Sequence, residues 1–407
     1  MKDFNYFVPT EVQFGLDSES YLPALVKKYK RDGKVLVLFG GGSVVRSGLL
    51  DRIEKQLSES GFEYVKKGGI QPNPRLTVVH EGIDLCHKEG VGLILAVGGG
   101  SVVDTAKAIG YGTYYDGDVW DFYIGKAKAT DTIPVGVVLT IPAAGSEMSD
   151  CTVISNEETQ QKLGYSDNLG RAKFAIMNPL LSFTLPDYQT ACGAVDIMMH
   201  TMERYFTKDT DMLLQTALAE ALLRTVKEST DKLLCGKNLS EHDTLVARSA
   251  IMWASSLSHN DLMGGRGTSD FATHKMEHEI SALYDVAHGA GLAAIWPSWA
   301  RYVMHEDLSR FVDFATKVMG VMDNGNAEET AEAGIRAMED CYHRWGMPVG
   351  FAELLGEKVS EETILLMADK CSKGDTFHPG YFKSLDKNDI AAIYRLANLP
   401  RIESPTD

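Results

Sequence analysis

The chain has 407 residues, of which 44% are hydrophobic and 24% are charged, and its formal net charge is −16. This length allows two or three domains of ordinary size. The composition is that of a globular protein able to build a full hydrophobic core. The acidic balance argues against nucleic-acid binding, which normally requires a basic patch.

The N-terminal sequence and the cysteines predict a cytoplasmic protein. The first residues lack the apolar run of a signal peptide. No apolar stretch approaches the ~18 residues that would span a bilayer, so we expect no membrane partner. The six cysteines are dispersed and none has CxxC spacing, which favours buried or free thiols over disulfides.

The first part of the chain alternates strand and helix signals. Apolar runs at 34–39, 92–97 and 133–139 are typical of buried strands, and a helical pattern at 76–89 separates the first two. Strands rich in Val, Ile and Leu that alternate with helices indicate a parallel sheet covered on both faces. We therefore predict an α/β, Rossmann-like dinucleotide-binding domain over residues 1–185.

The pattern changes near Leu185-Pro186-Asp187. Beyond this point the apolar residues recur at helical spacing, for example over 211–234, 245–257 and 311–319. We predict that residues 186–407 form an all-helical domain, and the histidines described below predict that this domain carries a metal site and the substrate site.

Two predicted strands end in glycine triplets, Gly40–Gly42 and Gly98–Gly100, and a serine follows each. Glycine allows a backbone to approach an anion closely, and a helix that follows presents free N–H groups. The second triplet suits a pyrophosphate, although Val103 occupies the last glycine position of the GxGxxG fingerprint. The alternative is that both triplets are tight strand-to-helix turns.

The first turn also bears on cofactor choice. It offers Gly41, Gly42 and Ser43, with Arg46 three residues further on and no carboxylate before Asp51. An enzyme specific for NAD often places an acid near the ribose 2′-hydroxyl. Small groups with a cation would instead admit a 2′-phosphate, which favours NADP. The alternative is that Arg46 is a solvated helix residue.

Histidines are concentrated in the predicted helical domain. His274, His278 and His288 lie within fifteen residues, and Asp196 and His200 stand four residues apart. Residues four apart share one helix face. Imidazoles with one carboxylate suit a divalent cation with an open coordination position, and a spare histidine could hold water or relay a proton. The Asp196–His200 pair alone is also common on solvated helices.

Four separated motifs, in the right order, resemble the iron-containing (group III) alcohol dehydrogenases, and most closely their NADP-dependent butanol dehydrogenase and aldehyde reductase branch. The motifs occupy residues 98–107, 144–147, 193–200 and 270–288, so the resemblance extends over nearly the whole chain. It implies a dehydroquinate synthase-like fold with a dinucleotide domain followed by a helical domain.

The resemblance also implies roles for individual residues. The ion, Fe²⁺ or Zn²⁺, would be held by Asp196, His200, His274 and His288. His278 would lie outside the ligand set as a catalytic residue that handles protons. The cofactor, NADP(H) or NAD, would contact Gly41, Gly42, Ser43, Gly98, Gly99, Gly100, Ser101, Asp104, Thr140 and Lys162. The family further implies a homodimer.

The chain departs from the family pattern at two positions. Ala144 stands where the family usually has threonine, and Ser149 stands where asparagine is common. Both side chains usually line the cofactor site, so the departures affect cofactor affinity and preference more than the metal chemistry.

The predicted reaction is hydride transfer between NAD(P)H and a primary alcohol or aldehyde, with the metal polarising the carbonyl oxygen. Three alternatives remain open: an NAD-dependent diol or polyol dehydrogenase, a dehydroquinate-synthase-like lyase, and a non-catalytic protein that binds nucleotide or metal. The lyase would require several cations around a phosphorylated sugar, and the segment 261–288 offers only Arg266 and Lys275.

Overall fold

A computed structural model describes residues 3–209, 211–264 and 269–399. The chain divides into two compact units. The N-terminal unit is formed by Phe7–Leu185 with Ser255–Asn260. The C-terminal unit is formed by the described residues of Met1–Tyr6, Pro186–Ala254 and Asp261–Asp407.

All strands in the described residues belong to the N-terminal unit. They are β1 (Glu11–Phe14), β2 (Lys34–Phe39), β3 (Tyr64–Lys67), β4 (Val91–Gly98), β5 (Val135–Leu139), β6 (Cys151–Asn156), β7 (Gln161–Ser166) and β8 (Phe174–Met177). Six form a parallel sheet in the order β1-β8-β5-β4-β2-β3. The pair β6-β7 is a separate antiparallel hairpin.

The position of the central strands in the sheet explains why their sequences are almost entirely apolar. Every residue of Val91–Gly98 and of Val135–Leu139 is buried, because helices cover both faces of a doubly wound sheet. The helices of this unit are α1 (Leu22–Tyr29), α2 (Gly42–Arg46), α3 (Leu49–Glu59), α4 (Leu76–Glu89), α5 (Gly100–Gly112) and α6 (Trp120–Tyr123).

In the C-terminal unit, all regular secondary structure of the described residues is helical. Its helices are α7 (Asp187–Tyr205), α8 (Leu213–Cys235), α9 (Glu241–Ser258, whose last four residues belong to the N-terminal unit), α10 (Ala272–Tyr284), α11 (His288–Val303), α12 (Leu308–Asp313), α13 (Ala327–Arg344), α14 (Phe351–Leu355), α15 (Glu361–Cys371) and α16 (Lys387–Ala397). The predicted fold class, an α/β part followed by an all-helical part, is confirmed. None of the described helices is long and apolar enough to cross a membrane.

Candidate active site

Both glycine turns lie at one edge of the sheet. Strands β2, β4 and β5 are parallel neighbours, so their carboxyl ends meet there. The amide of Thr140, the residue after β5, donates to the Gly98 carbonyl over 3.0 Å. The structure therefore brings the predicted residues of both turns and Thr140 to the same edge.

The second turn leaves no room for side chains. A Cβ on Gly99 would lie 2.8 Å from the Ile141 Cβ, and one on Gly100 would lie 3.1 Å from the Ala144 Cβ. Helix α5 begins at Gly100 and has thirteen residues. The glycines thus make room for Ile141 and Ala144, and the free N–H groups at the N-terminus of such a helix suit a phosphate group.

The first turn is open and carries a cation. Gly41, Gly42 and Ser43 are exposed, and a Cβ on Gly41 would have no neighbour within 4 Å. The side chain of Arg46 folds back over the turn, since a Cβ on Gly42 would lie only 2.4 Å from its Nη1. The exposed guanidinium thus lies beside the turn.

Asp104 and Lys162 lie around the β6-β7 hairpin. The Asp104 Oδ1 accepts from the Ser146 hydroxyl over 2.5 Å, and its Oδ2 accepts from the Val153 amide over 2.9 Å. Lys162 is buried on β7, directly opposite Ser155 of β6. Asp104 therefore ties α5 to the hairpin that carries Lys162.

The structure also reveals a buried ammonium group to which the sequence analysis assigns no role. Lys107 is fully buried, and its Nζ donates to Ser146 Oγ, to the Ser149 carbonyl and to the Cys151 carbonyl over 2.8–3.0 Å. Burial lowers the pKa of Lys107 to about 8. Ser149, one of the two departures from the family pattern, is itself buried beside this ammonium.

The predicted metal ligands converge in the C-terminal unit. Asp196 and His200 lie on α7, His274 lies on α10, and His288 is the first residue of α11. One ligand atom from each of Asp196, His274 and His288 lies within 4.8 Å of the other two. The Nε2 atoms of His274 and His288 are 3.7 Å and 3.8 Å from the Asp196 Oδ1. Ligand atoms at these separations leave space for an ion between them.

His200 and His278 border this group. The His200 ring centroid is 4.4 Å from that of His274, and its Nδ1 is 3.1 Å from Asp196 Oδ1 and 3.0 Å from the Asp196 carbonyl oxygen. The His278 ring lies 6.0 Å from that of His288. The structure thus gathers three of the four predicted ligands and places His200 against them.

The buried donor atoms fit a cation. The nearby His200 Nδ1 is hydrogen-bonded to the Asp196 carbonyl oxygen, and neither the Asp196 Oδ1 nor the His274 Nε2 has a hydrogen-bond partner among the described residues. Buried polar atoms without a partner are costly, and a divalent ion would satisfy both. A carboxylate with imidazole nitrogens is a donor set suited to iron or zinc.

The electrostatics of the group favour the ionised form of Asp196, which is the form that ligates a cation. Burial alone would raise the pKa of Asp196, but the neighbouring histidines, His200 foremost, hold it well below its ordinary value. Burial lowers the pKa of His200 to about 4. Burial also opposes protonation of His274, yet the carboxylates of Glu203 and Asp196 raise its pKa to about 9. An ion that binds here would displace that proton.

Two buried glutamates next to these histidines were not identified from the sequence. The His274 Nδ1 is hydrogen-bonded to Glu203, and the His288 Nδ1 is hydrogen-bonded to Glu277. Glu203 stands seven residues after Asp196, on the same face of α7, which is a signal the sequence contains. No comparable spacing links Glu277 to His288.

Comparison with known proteins identifies the family. The profile "Iron-containing alcohol dehydrogenase" matches residues 9–179, and the profile "Fe-containing alcohol dehydrogenase family, C-terminal" matches residues 190–398. The chain therefore belongs to the iron-containing alcohol dehydrogenase family, which confirms the resemblance found in the sequence.

Individual relatives cover almost the whole chain. It is 37% identical to NADH-dependent butanol dehydrogenase A of Clostridium acetobutylicum, over 97% of this chain and 99% of that protein. It is 32% identical to NADPH-dependent aldehyde reductase YqhD of Escherichia coli, over 87% and 89%. The crystal structure of NADH-dependent butanol dehydrogenase A from Thermotoga maritima superposes with a TM-score of 0.91 at 36% identity, covering 98% of this chain and 99% of that one.

Proposed function

We propose that this protein is a metal-dependent aldehyde reductase and alcohol dehydrogenase that acts on primary alcohols and aldehydes, with NADPH as its preferred cofactor. The N-terminal unit would bind the nucleotide, and the C-terminal unit would hold the ion. The observation that carries the proposal is the group of Asp196, His274 and His288, in which the buried Asp196 Oδ1 and His274 Nε2 have no hydrogen-bond partner among the described residues and suit a cation. Family membership supports the oxidoreductase class.

When bound, the ion supplies Lewis-acid polarisation of the carbonyl oxygen and the dihydronicotinamide supplies the hydride. The residues of the chain bind and orient these groups. Asp196, His274 and His288 hold the ion, with His200 as the fourth ligand from the same helix as Asp196. His278 stands beside His288, where an imidazole can deliver a proton to the product oxygen.

Arg46 supports the preference for NADPH. Its guanidinium lies beside Gly42, and a guanidinium binds a phosphate through charge-assisted hydrogen bonds. The relatives include enzymes named for NADH and others named for NADPH or NADP, so the support for this preference comes from Arg46 and not from the family. A steady-state comparison of kcat/KM for NADPH and NADH tests it directly.

The His274→Ala variant tests the reaction. We expect turnover of butanal to be abolished while NADPH still binds, since His274 belongs to the ion site and not to the nucleotide site. Loss of the nicotinamide absorbance band reports turnover, and metal analysis reports the loaded ion. Full activity in this variant, or in rigorously metal-free protein, would show that the mechanism is wrong. A panel that includes 1,3-diols separates an aldehyde reductase from a diol dehydrogenase.

We also infer a homodimer from the family resemblance. Strand β1 lies at the edge of the sheet and pairs with β8 on one side, and an edge strand is able to pair with a second chain. Sedimentation velocity would give the oligomeric state, and a monomer at micromolar concentration would contradict the inference.

A further inference from the structure

We propose that Glu203 and Glu277 are positioning residues that fix the tautomer and orientation of two metal-ligating histidines, His274 and His288. The inference rests on the metal site proposed above and assigns a task to two carboxylates that the reaction itself does not use. Each glutamate would hold the Nδ1–H of one imidazole, so that the Nε2 lone pair faces the ion.

Glu203 holds His274 at two points. It lies on α7, one turn beyond His200, and only 1% of its surface is exposed. Its Oε2 is hydrogen-bonded to the His274 Nδ1, and its Oε1 accepts from the His274 backbone amide over 3.2 Å. The same side chain thus fixes both the ring of His274 and the start of α10 that carries it.

Glu277 holds His288 in the same manner from a different helix. It is fully buried on α10. Its Oε2 is hydrogen-bonded to the His288 Nδ1, and its Oε1 accepts from the Ser281 hydroxyl one turn further along α10. A Cβ on Gly291 would lie 2.9 Å from Glu277 Cγ and Oε1, so the glycine provides the space in which the carboxylate lies.

The chemistry of these pairs assigns the tautomer. An ionised carboxylate only accepts hydrogen bonds, so the Nδ1 of each imidazole must carry the hydrogen. In a neutral imidazole the other nitrogen, Nε2, then holds the lone pair. In both residues Nε2 is the atom that faces Asp196, at 3.7 Å for His274 and 3.8 Å for His288. A carboxylate behind a ligating imidazole fixes the ring and increases its basicity.

The test measures metal binding and not only turnover. Metal-free wild-type protein and the variants Glu203→Gln and Glu277→Gln are titrated with Zn²⁺ against a chromophoric chelator. Co²⁺ absorption then reports the ligand geometry. Glu279→Gln is the matched control, because Glu279 is a buried glutamate on the same helix as Glu277 with no described contact to a ligand histidine. We expect Zn²⁺ affinity to fall by about 10- to 100-fold in each test variant and to stay unchanged in the control.

Circular dichroism and thermal unfolding of the metal-free variants separate folding from positioning. If a glutamine variant does not fold, Glu203→Asp and Glu277→Asp keep the charge but withdraw the acceptor by one methylene, and they should also weaken Zn²⁺ binding. Folded variants that bind Zn²⁺ as tightly as the wild type would overturn this inference alone. A wild-type protein that binds neither Zn²⁺ nor Co²⁺ would overturn the metal site and this inference with it.

Discussion

The Nζ of Lys107 lies 2.9 Å from the Oγ of Ser146, in a place where the ammonium group is completely buried. Ser146 in turn donates to Asp104. A carboxylate and an ammonium group on successive turns of α5 therefore both hydrogen-bond to the same serine hydroxyl. This arrangement connects the helix that starts at the second glycine turn to the segment that follows β5.

Lys107→Met should destabilise the N-terminal unit. Methionine has a similar length but no donor, so the Ser149 and Cys151 carbonyls would lose a buried partner. An unsatisfied buried acceptor costs about 1–3 kcal/mol, and the Cys151 carbonyl would keep only a 3.4 Å hydrogen bond from Ser149 Oγ. We therefore expect a loss on the order of 3 kcal/mol. Thermal unfolding should show a melting temperature roughly 6–12 °C lower. The exposed Lys88→Met on α4 is the control, and equal melting temperatures of the two variants would contradict the prediction.

Glu279 should make stability depend on pH. Burial raises the pKa of this carboxyl to about 7, although Lys370 and Lys275 oppose the shift, and its Oε2 has no hydrogen-bond partner among the described residues. Since the unfolded value is near 4.5, the folded state binds more protons between pH 4.5 and 7. The stability from this group is therefore present below pH 4.5 and is lost as pH rises to about 7.

Glu279→Gln removes this titration. Relative to wild type, the variant should gain stability progressively from pH 4.5 to 7, by an amount on the order of 3 kcal/mol, with no further gain above that range. Melting temperatures at pH 5, 6, 7 and 8 would show the trend. If the difference in melting temperature between the wild type and the variant were constant over this range, Glu279 would not be the source of the pH dependence.

Arg46→Ala should reduce the preference for NADPH. We expect kcat/KM for NADPH to fall by at least roughly tenfold, because one charge-assisted contact contributes about 1.4 kcal/mol and this energy corresponds to a factor of ten. We expect kcat/KM for NADH to change little. Lys55→Ala, at an exposed position on α3, controls for the general loss of positive charge. Equal losses of kcat/KM with both cofactors would show that residues other than Arg46 discriminate between NADPH and NADH.

His278→Gln should slow proton delivery without emptying the metal site. The expected fall in kcat is about 100-fold, a typical contribution of a general acid, with unchanged Zn²⁺ affinity because His278 lies outside the group of Asp196, His274 and His288. A parallel loss of bound metal and activity would instead make His278 a ligand. Metal content and kcat are measured on the same preparation.

Most of the fold could be predicted because buried parallel strands and amphipathic helices have distinct periods. Strands β2, β4 and β5 fall close to the predicted runs. Strands β1 and β8 are only four residues long and pair across about 160 residues of sequence, so no local signal links them. Their pairing depends on tertiary structure alone.

The site was predictable where the residues share one helix or one strand end. Asp196 with His200, and each glycine turn, are local patterns. The hydrogen bond between Glu277 and His288 crosses a turn in which Asp285 adopts a positive φ of 50°, and no residue period spans such a turn. Lys107 did leave a signal, since it is the one basic residue in an otherwise largely apolar α5.

The separation of the nucleotide turns and the histidine group into different units of the chain has an evolutionary consequence. With the roles proposed above, substitutions at 41–46 would alter which dinucleotide is accepted while Asp196, His274 and His288 stay unchanged. Substitutions around α10 and α11 can alter the choice of metal without touching the first turn. The names of relatives differ in the dinucleotide, NADH or NADPH, as change confined to the first of these segments would produce.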